Sequence, residues 1–414
     1  MLVRKYTYHI LWVTLLGLLG ALVAPSGTSA QVDNFTYFIP YPTDLLDDQF
    51  NIANADNDFT DDDIYTTISI AVQRSDTVIY YDHWEGTGPD SGLEGILTVP
   101  SQTSTQIWGD DNSDNGIPPG YTADKLDDGD IIVLQNKVPL PRDPAQFFFD
   151  GGDKLTAVGG TVAVTLAVWP ESAGILFAGA WELYPTSDWQ TDYSFPIGQD
   201  LASLRPGFGI VGYSVQALSP NTVLEIDLDG DGTSDQTETI VQAGGHFTDI
   251  DGVLTGTSIK ASSPVQVHAL TGNNSPGIDF EARAYTIRPC QGLKNDYLAP
   301  RSSDGDYWLY NPDTTTPLTV TVTTSTTVTS LAIPAGSTER FPPGNALMQS
   351  TGVRFTSTDG RPFCAVAALD ASSAQDWGYP VLPIDDLTTQ TFIGWGVGNV
   401  NDPPDNDESR VYVT

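Results

Sequence analysis

Three stretches of the 414-residue chain repeat one pattern, and this repeat strongly constrains the fold. Each copy has a glycine, a short strand-like run, a small turn and a second, more apolar strand-like run. The apolar anchors Leu155, Ile259 and Phe355 lie 104 and 96 residues apart. A period near 100 residues suits one small β-domain, whereas propeller blades take about 40–50 residues. We therefore predict an all-β chain of three tandem β-sandwich-like units, with a β-propeller-like arrangement of about six blades as the alternative.

The termini complete the predicted domain organisation. Arg4 and Lys5 precede an apolar run at 10–23 and small residues at 28–30, the pattern of a secretory signal peptide. We place this leader at 1–30 and the three β units at 31–205, 206–298 and 299–395. Residues 396–414 have the composition of an acidic linker that leads into a following strand. No later apolar run is long enough for a membrane span, so we expect a secreted chain, free or attached to a cell surface through a region outside it.

The chain is strongly acidic, with 53 Asp and Glu against 17 Lys and Arg. Loss of the leader removes two positive charges and changes the net charge from −36 to −38. A charge of this sign repels nucleic acid and anionic membranes, so we expect neither as a partner. Bound cations or high ionic strength would reduce the self-repulsion.

A calcium-loop pattern occupies 227–238, where acidic residues alternate with small ones before a distant glutamate. Calcium takes six to eight oxygen ligands, and Gly232 permits the sharp turn between them. The flanks at 222–226 and 238–242 alternate and are β-branched, so we predict a loop between two strands rather than an EF-hand. A metal-free acidic turn is the alternative. The predicted calcium ligands are Asp227, Asp229, Asp231, the Thr233 carbonyl, Asp235 and Glu238.

Two further acidic, Asn-rich stretches, 47–63 and 109–116, lack a fixed spacing and read as solvated loops. Only two cysteines are present, Cys290 and Cys364. In an exported chain they could pair, closing a loop of about 75 residues worth roughly 4–5 kcal/mol in the chain-entropy model. Two free thiols are the alternative, because sequence alone does not fix the geometry.

The best catalytic candidate is the run Asp82, His83, Trp84 and Glu85, which follows a predicted strand. On a strand, His83 and Glu85 would share one face as an acid/base or ligand pair. A strand end with a half-buried tryptophan and a hydrogen-bonded histidine explains the same residues without chemistry. No hydrolase, zinc-protease or nucleotide-binding motif occurs, so we predict a non-enzyme.

Isolated histidines and tryptophans give weaker signals. His268 alternates with Val267 and Ala269, so we expect it on the more polar face of a strand. A zinc site would need His83, His246 and His268 to converge from two units, which the spacing disfavours. Exposed tryptophans could stack on sugar rings, although core positions explain them equally well. The tryptophans considered for sugar stacking are Trp108, Trp189 and Trp377.

Two segments resemble a known family. Residues 254–272 resemble the repeat core of the N-terminal domain of IgGFc-binding proteins, and 78–86 with 108–109 and 115–120 is similar to large bacterial surface proteins that carry such domains. The resemblance covers most of 35–400. It implies a secreted or surface-attached β-rich module for adhesion or matrix interaction. The family supplies no catalytic residues to transfer, and the low cysteine content departs from its animal members.

Together these patterns predict a secreted or cell-surface, calcium-stabilised, non-catalytic β module that interacts with an extracellular protein or glycan. A carbohydrate-binding protein or glycan-active hydrolase is the alternative. The units flanking the second one carry Asp-His-Trp-Glu and Thr-Thr-Ser-Thr where it carries the calcium loop, so we expect the ion to act as a local brace and not as a switch.

Overall fold

The computed structural model describes residues 34–53, 62–84, 105–143, 145–172, 178–273, 282–300, 305–343, 351–372 and 375–389. The predicted leader, Glu85 and the predicted linker at 396–414 lie outside these ranges. The described part is an all-β fold with one α-helix and short 3-10 turns. No helix in this part is long and apolar enough to cross a membrane.

Three successive sets of strands form three repeats. The first contains β1 Asn34–Phe38, helix α1 Thr43–Ala53, β2 Ile64–Val72, β3 Val78–Asp82, β4 Thr105–Trp108, β5 Ile131–Val138, β6 Lys154–Val158, β7 Val162–Pro170 and β8 Gly179–Leu183. The second contains β9 Gln190–Ser194, β10 Ile210–Ala217, β11 Thr222–Asp227, β12 Gln236–Ile240, β13 His246–Asp249, β14 Ser258–Gly272 and β15 Ala282–Thr286. The third contains β16 Asp296–Ala299, β17 Gly305–Tyr310, β18 Leu318–Thr324, β19 Val328–Ile333, β20 Thr338–Phe341, β21 Val353–Ser357, β22 Cys364–Ser372 and β23 Gln375–Pro380.

All three repeats share one antiparallel pairing order. The first forms sheets β1-β6-β3-β4 and β5-β2-β7-β8, and the third forms β16-β21-β18-β19 and β20-β17-β22-β23. The second pairs its strands in the same way, except that β14 takes part in both halves. Each repeat pairs some strands that are far apart in sequence, such as β1 with β6 and β16 with β21, unlike the sequential strands of a propeller blade. Tandem sandwich-like units, and not propeller blades, therefore describe the chain.

Strand register identifies equivalent positions in the repeats. The predicted anchors Leu155, Ile259 and Phe355 each pair with two strands, and their partners on the hairpin strand are Tyr81, Ile226 and Val322. The next residues along those strands are Asp82, Asp227 and Thr323. The same strand end therefore opens the calcium-loop hairpin in the second repeat and different loops in the other two.

The first strand of each repeat carries a tyrosine that sequence reasoning did not single out. Tyr37, Tyr193 and Tyr297 pair with the three anchors. Their hydroxyls donate to the carbonyl oxygens of Val162, Val265 and Phe363 at 2.8, 2.5 and 2.5 Å. Each of these hydrogen bonds therefore links the first sheet of a repeat to the beginning of a strand segment in its second sheet.

The repeats begin earlier than the predicted boundaries at 205/206 and 298/299. β9 pairs with β14 of the second repeat, and β16 pairs with β21 of the third. Both first strands are short, Gln190–Ser194 and Asp296–Ala299, and neither alternates regularly between apolar and polar residues. Alternation therefore does not reveal them.

The repeats pack closely through their last strands. β15 contacts both β8 and β23. Gly179 of β8 faces the side chains of Leu270 and Ala284, and Gly378 of β23 lies against the Tyr285 ring. A side chain at either position would clash with these groups, so glycine permits the strands of neighbouring repeats to approach closely.

Part of the acidic stretch predicted as a loop from residue 47 is helical. Helix α1 covers Thr43–Ala53 and buries Leu46 and Phe50, which lie four residues apart on one face. The amide of Gln49 on the same helix donates to the carbonyl of Leu270 in the second repeat at 3.2 Å. The many aspartates and asparagines conceal this amphipathic spacing in the sequence.

Candidate metal centre

The predicted calcium loop forms the tip of the β11–β12 hairpin. Asp227 ends β11 and Gln236 begins β12, with Ile226 and Gln236 paired at the base. The backbone N–H of Asp235 donates to the carbonyl of Ile226, and that of Leu228 donates to the Asp235 carboxylate, both at 2.8 Å. These two bonds close the loop and confirm that strands, not helices, flank it.

Glycines supply the backbone conformations that the tight loop needs. Gly230 and Gly232 have φ of +73° and +90°, a region that side chains disfavour. Their N–H groups donate to the two carboxylate oxygens of Asp227, each at 2.8 Å. Asp227 is 7% exposed, so it is a buried carboxylate that organises the loop backbone around itself.

Three of the six predicted ligands come together. Oxygens of Asp227, Asp229 and Asp235 lie within 4.8 Å of one another. Calcium–oxygen distances of 2.3–2.6 Å place ligands of one ion up to about 5 Å apart, so this separation suits a shared cation. Asp229 and Asp235 are exposed while Asp227 is buried, which leaves the cluster open to solvent on one side.

The two other predicted carboxylate ligands, Asp231 and Glu238, are placed differently. An Asp231 carboxylate oxygen accepts the N–H of Thr233 at 2.7 Å, and Asp231 is not in the close group. Glu238 lies within β12 opposite Leu224 and accepts a hydrogen bond from the Gln236 amide at 2.9 Å. The loop ends at Gln236, so Glu238 belongs to the strand and not to the loop tip.

The loop lies close to the third repeat. A Cβ on Gly230 would lie 3.1 Å from the carbonyl of Gly256, and one on Gly256 would lie 3.5 Å from the Tyr310 hydroxyl. Burial raises the pKa of Tyr310 to about 12, with a further contribution from the charge of Asp227. Thr257 also donates to the Leu228 carbonyl at 2.8 Å. The loop at the tip of the β11–β12 hairpin therefore rests on the turn before β14, beside β17.

In the first repeat, the residue after the equivalent aspartate enters a buried polar network. His83 is 3% exposed, and its Nδ1–H donates to the carbonyl of Phe148 at 2.7 Å. The same nitrogen lies 3.6 Å from a carboxylate oxygen of Asp153, which also accepts the Tyr81 hydroxyl at 2.6 Å. Burial lowers the pKa of His83, but the hydrogen bond and charge of Asp153 outweigh it and raise that pKa overall.

A second buried carboxylate completes the network. Asp150 accepts two hydrogen bonds from the Arg142 guanidinium, at 2.6 and 3.0 Å, and one from the Thr43 hydroxyl at 2.9 Å. Burial raises the pKa of Asp150 to about 6 even though Arg142 opposes the shift. The Arg142 guanidinium also lies 4.6 Å from the Trp84 ring centre. These contacts tie the end of β3 to α1 and to the segment before β6.

Within the catalytic candidate at 82–85, the described side chains and backbone groups make structural hydrogen bonds. Asp82 is buried and accepts the Thr105 hydroxyl at 3.0 Å. The Trp84 N–H donates to Asp153 at 2.7 Å, and Glu85 lies outside the described residues. Sequence reasoning missed the partners Arg142, Asp150 and Asp153, which lie some 60–70 residues beyond His83 and carry no motif.

The histidines do not converge on a metal in the described part of the chain. His268 shares a face of β14 with Gln266, and this face is buried: His268 is fully buried, with the Trp181 ring 6.4 Å away. β14 has one face against the core of its own repeat and the other against the first repeat. Burial lowers the pKa of His268 to about 3.

The tryptophans considered for sugar stacking are mostly internal. Trp108 is 0% and Trp189 is 3% exposed, so neither offers a ring face to a ligand. Trp377 is half-buried in β23, opposite Leu369. Trp84, in contrast, lines a cleft of about 610 Å³ between the first two repeats, together with Asp44 and His246.

The second acidic stretch, 109–116, folds around Asp124. The Asp124 carboxylate accepts the N–H groups of Gly109 and Asn112 at 2.6 and 2.9 Å. Burial, followed by the neighbouring Asp124, raises the pKa of Asp110. Among the described residues this stretch does not gather three acidic side chains as the β11–β12 loop does.

Cys290 and Cys364 are free thiols in the structure, so the bond between them is not formed. Cys290 lies in a 3-10 turn with its Sγ 3.4 Å from the Ser194 hydroxyl. Cys364 begins β22 and is buried in the core of the second repeat. Burial raises the pKa of both thiols, that of Cys364 to about 12.

Comparison with known proteins adds little to this geometry. No protein-family model and no curated protein matches the chain. Among solved structures, dimeric latent PorU from Porphyromonas gingivalis aligns over 78% of this chain and 30% of its own length. The alignment has 9% identity and a TM-score of 0.12, which is too low to carry any argument about fold or function.

Proposed function

We propose that the chain is a secreted or cell-surface, calcium-stabilised β module that interacts with an extracellular protein or glycan. The observation that carries this proposal is the group formed by Asp227, Asp229 and Asp235 at the tip of the β11–β12 hairpin. Three carboxylates within 4.8 Å repel one another unless a cation or protons lie between them. In a chain of net charge −36, none of the salt bridges between described residues joins a lysine or arginine to these three carboxylates.

The bound ion would act as a brace on a pre-folded loop. The loop backbone is already closed by the bonds that Asp227 and Asp235 accept. Calcium adds attraction between the two ends of the loop and removes their mutual repulsion. Because the loop rests on Gly256 beside Tyr310, fixing it also supports the surface near the third repeat.

The adhesion part of the proposal rests on architecture and resemblance. Three repeats present the same hairpin with loops of different length and chemistry, a two-residue turn in β18–β19 and an eight-residue loop in β11–β12. Variable loops on a rigid β scaffold are common sites of recognition. The resemblance to IgGFc-binding N-terminal domains suggests extracellular partners, and the engagement of His83 in a buried network favours a non-catalytic role for that segment.

Thermal unfolding in calcium and in chelator tests the metal role. With the affinity of typical extracellular sites, 10 mM calcium should stabilise the fold by about 1.4–2.7 kcal/mol. Asp229→Ala with Asp235→Ala should remove this effect, and Asp188→Ala, at an exposed acid in a 3-10 turn, should retain it. Equal midpoints in calcium and chelator for the unmodified chain would refute a stabilising ion.

The cleft beside Trp84 favours a second candidate, carbohydrate binding. It combines an aromatic ring with the carboxylate of Asp44 and with His246, the mixture of stacking and hydrogen bonding that sugars use. A glycan array with the unmodified chain and Trp84→Ala distinguishes the candidates. Binding that is lost in the variant would favour a sugar site, and binding that Trp84→Ala leaves intact would place glycan recognition elsewhere.

A further inference from the structure

The β18–β19 hairpin ends its sheet with an exposed strand that carries no charge. β19 lies at the end of the order β16-β21-β18-β19, and no described strand pairs with its outer edge. Between Asp313 and Glu339 the sequence contains no charged residue. Natural edge strands are commonly protected by lysine, proline, bulges or a covering element. Here Val328, on the edge strand, is 71% exposed.

Hairpin geometry shows which backbone groups face outward. The N–H of Thr324 donates to the carbonyl of Thr327 at 2.9 Å, so these residues form a hydrogen-bonded pair at the turn. Pairs alternate along an antiparallel ladder, and β18 pairs with β19 in the register Thr321–Ser330. The N–H and C=O groups of Val328, Ser330 and Ala332 therefore point away from β18 and towards the free edge.

This edge is self-complementary under two-fold symmetry. If two copies of β19 lie antiparallel with Ser330 opposite Ser330, Val328 of each copy lies opposite Ala332 of the other. All outward backbone groups then find partners, and the paired side chains are small or apolar. Val328, Ser330 and Ala332 share the outer face, while Ile333 is buried in the core.

The self-complementary edge suits another copy of the chain as its occupant, because the strand itself carries no charge. Two molecules of net charge −36 repel over most of their surfaces. The equivalent edge strand of the second repeat, β12, carries Glu238 and follows the aspartate-rich loop, so symmetric pairing there would bring like charges together. The β19 edge brings only neutral side chains together.

We propose that β19 is a self-association edge through which two copies join their third-repeat sheets into one continuous antiparallel sheet. The contact is short, so the dimer is weak and depends on concentration. Salt strengthens it, because screening reduces the repulsion between the acidic bodies. The proposal does not depend on the calcium site or on the function proposed above.

Sedimentation velocity of the leader-processed chain from about 5 to 500 µM, at low and high salt, tests this inference. We expect a shift from monomer to dimer with concentration that is stronger at high salt. Ser330→Lys places two lysines opposite each other across the axis, and we expect at least about tenfold weaker association. Ser330→Pro removes an outward N–H that β18 does not use, and should weaken association similarly without adding charge.

Thr319→Lys is the matched control. Thr319 is exposed on β18, on the same outer face but one strand away from the edge, so dimerisation should persist. Adding lysine to an acidic chain lowers its overall repulsion, so a non-specific effect would favour association in both lysine variants. A chain that stays monomeric throughout, a Ser330→Lys chain that associates like the unmodified one, or equal loss in Thr319→Lys would each overturn the proposal. Circular dichroism confirms that the variants are folded.

Discussion

Asp82 and Asp227 occupy the same position in two repeats, each one residue after the hairpin partner of an apolar anchor. Asp82 accepts a hydroxyl from the neighbouring strand, whereas Asp227 accepts two N–H groups of its own loop. One strand end therefore supports a polar network in the first repeat and an acidic loop in the second.

The ligand set of the loop is testable at two carboxylates. Asp235 belongs to the close group, whereas Glu238 lies in β12. We expect Asp235→Asn to weaken calcium binding by about tenfold or more and Glu238→Gln to change it less than threefold. Isothermal titration calorimetry measures both. If Glu238→Gln causes the larger loss, the loop binds calcium as the full twelve-residue sequence pattern predicts.

Stability should fall as pH rises through the neutral range. The pKa of His83 is raised in the folded state, so its contribution is fully present below the unfolded pKa near 6.5 and is lost as pH rises through the folded pKa. The raised pKa of Asp150 acts in the same direction at lower pH, because ionising it in the folded protein is disfavoured. Thermal midpoints between pH 5 and 8.5 should decline, and His83→Gln should flatten the part above pH 6. If the thermal midpoint of His83→Gln depends on pH as steeply as that of the unmodified chain, His83 is not the source of the pH dependence.

Breaking the buried ion pair should be costly. Arg142→Met leaves Asp150 buried without its guanidinium, and we expect a loss of about 3–5 kcal/mol in the free energy of unfolding. Lys137→Met is the matched control, because Lys137 bridges Asp63 and Glu171 at an exposed position, where ion pairs contribute about 0–1 kcal/mol. Denaturant unfolding measures both variants, and similar losses would mean that burial of the pair has no energetic consequence.

The repeated tyrosine bonds should each contribute measurably. Tyr193→Phe or Tyr297→Phe removes a hydroxyl that donates to a buried carbonyl, and we expect a loss of about 1–3 kcal/mol. Tyr65→Phe serves as the control, because Tyr65 is half-buried and its main aromatic contact is a ring stacked on Trp169 at 5.8 Å. Chemical denaturation measures the free energy of unfolding of each variant. Equal stability of all three would show that these hydrogen bonds do not contribute measurably to stability.

Thiol reactivity tests the state of the cysteines. Two thiols should react with Ellman's reagent after denaturation without reductant, because no bond joins Cys290 to Cys364. In the folded chain Cys364 should be protected by burial, and Cys290 should react slowly because its pKa is raised. Absence of thiol in the denatured chain would establish that Cys290 and Cys364 are joined by a disulfide.

Sequence patterns predicted the strand class, the period and the anchor positions, because apolar alternation and glycine placement are local signals. The hairpin around Asp227 followed from the same signals. The network around His83 did not, since its partners are single residues that only the sheet pairing brings close. The burial of His268 was missed for a related reason, because packing between repeats covers the second face of β14 and alternation reports burial on one face only.

Glu238 shows where a spacing rule stops applying. The twelve-residue pattern places its last ligand where a helix would return it to the ion. In a hairpin, the chain leaves the loop at Gln236 and extends by about 3.4 Å per residue. The same spacing therefore carries Glu238 along the strand.

β14 is a single strand of 15 residues that spans both halves of the second repeat, with a register irregularity between Lys260 and Val265, whereas β6 and β7, or β21 and β22, divide that path in the others. Pulling the sheets of the first or third repeat apart can concentrate bending at the turn between two strands. In the second repeat the same displacement must act on one continuous strand that is paired along most of its length. Under tension we expect the outer repeats to yield first, so that the aspartate-bearing hairpin stands on the repeat that best resists separation of its two halves.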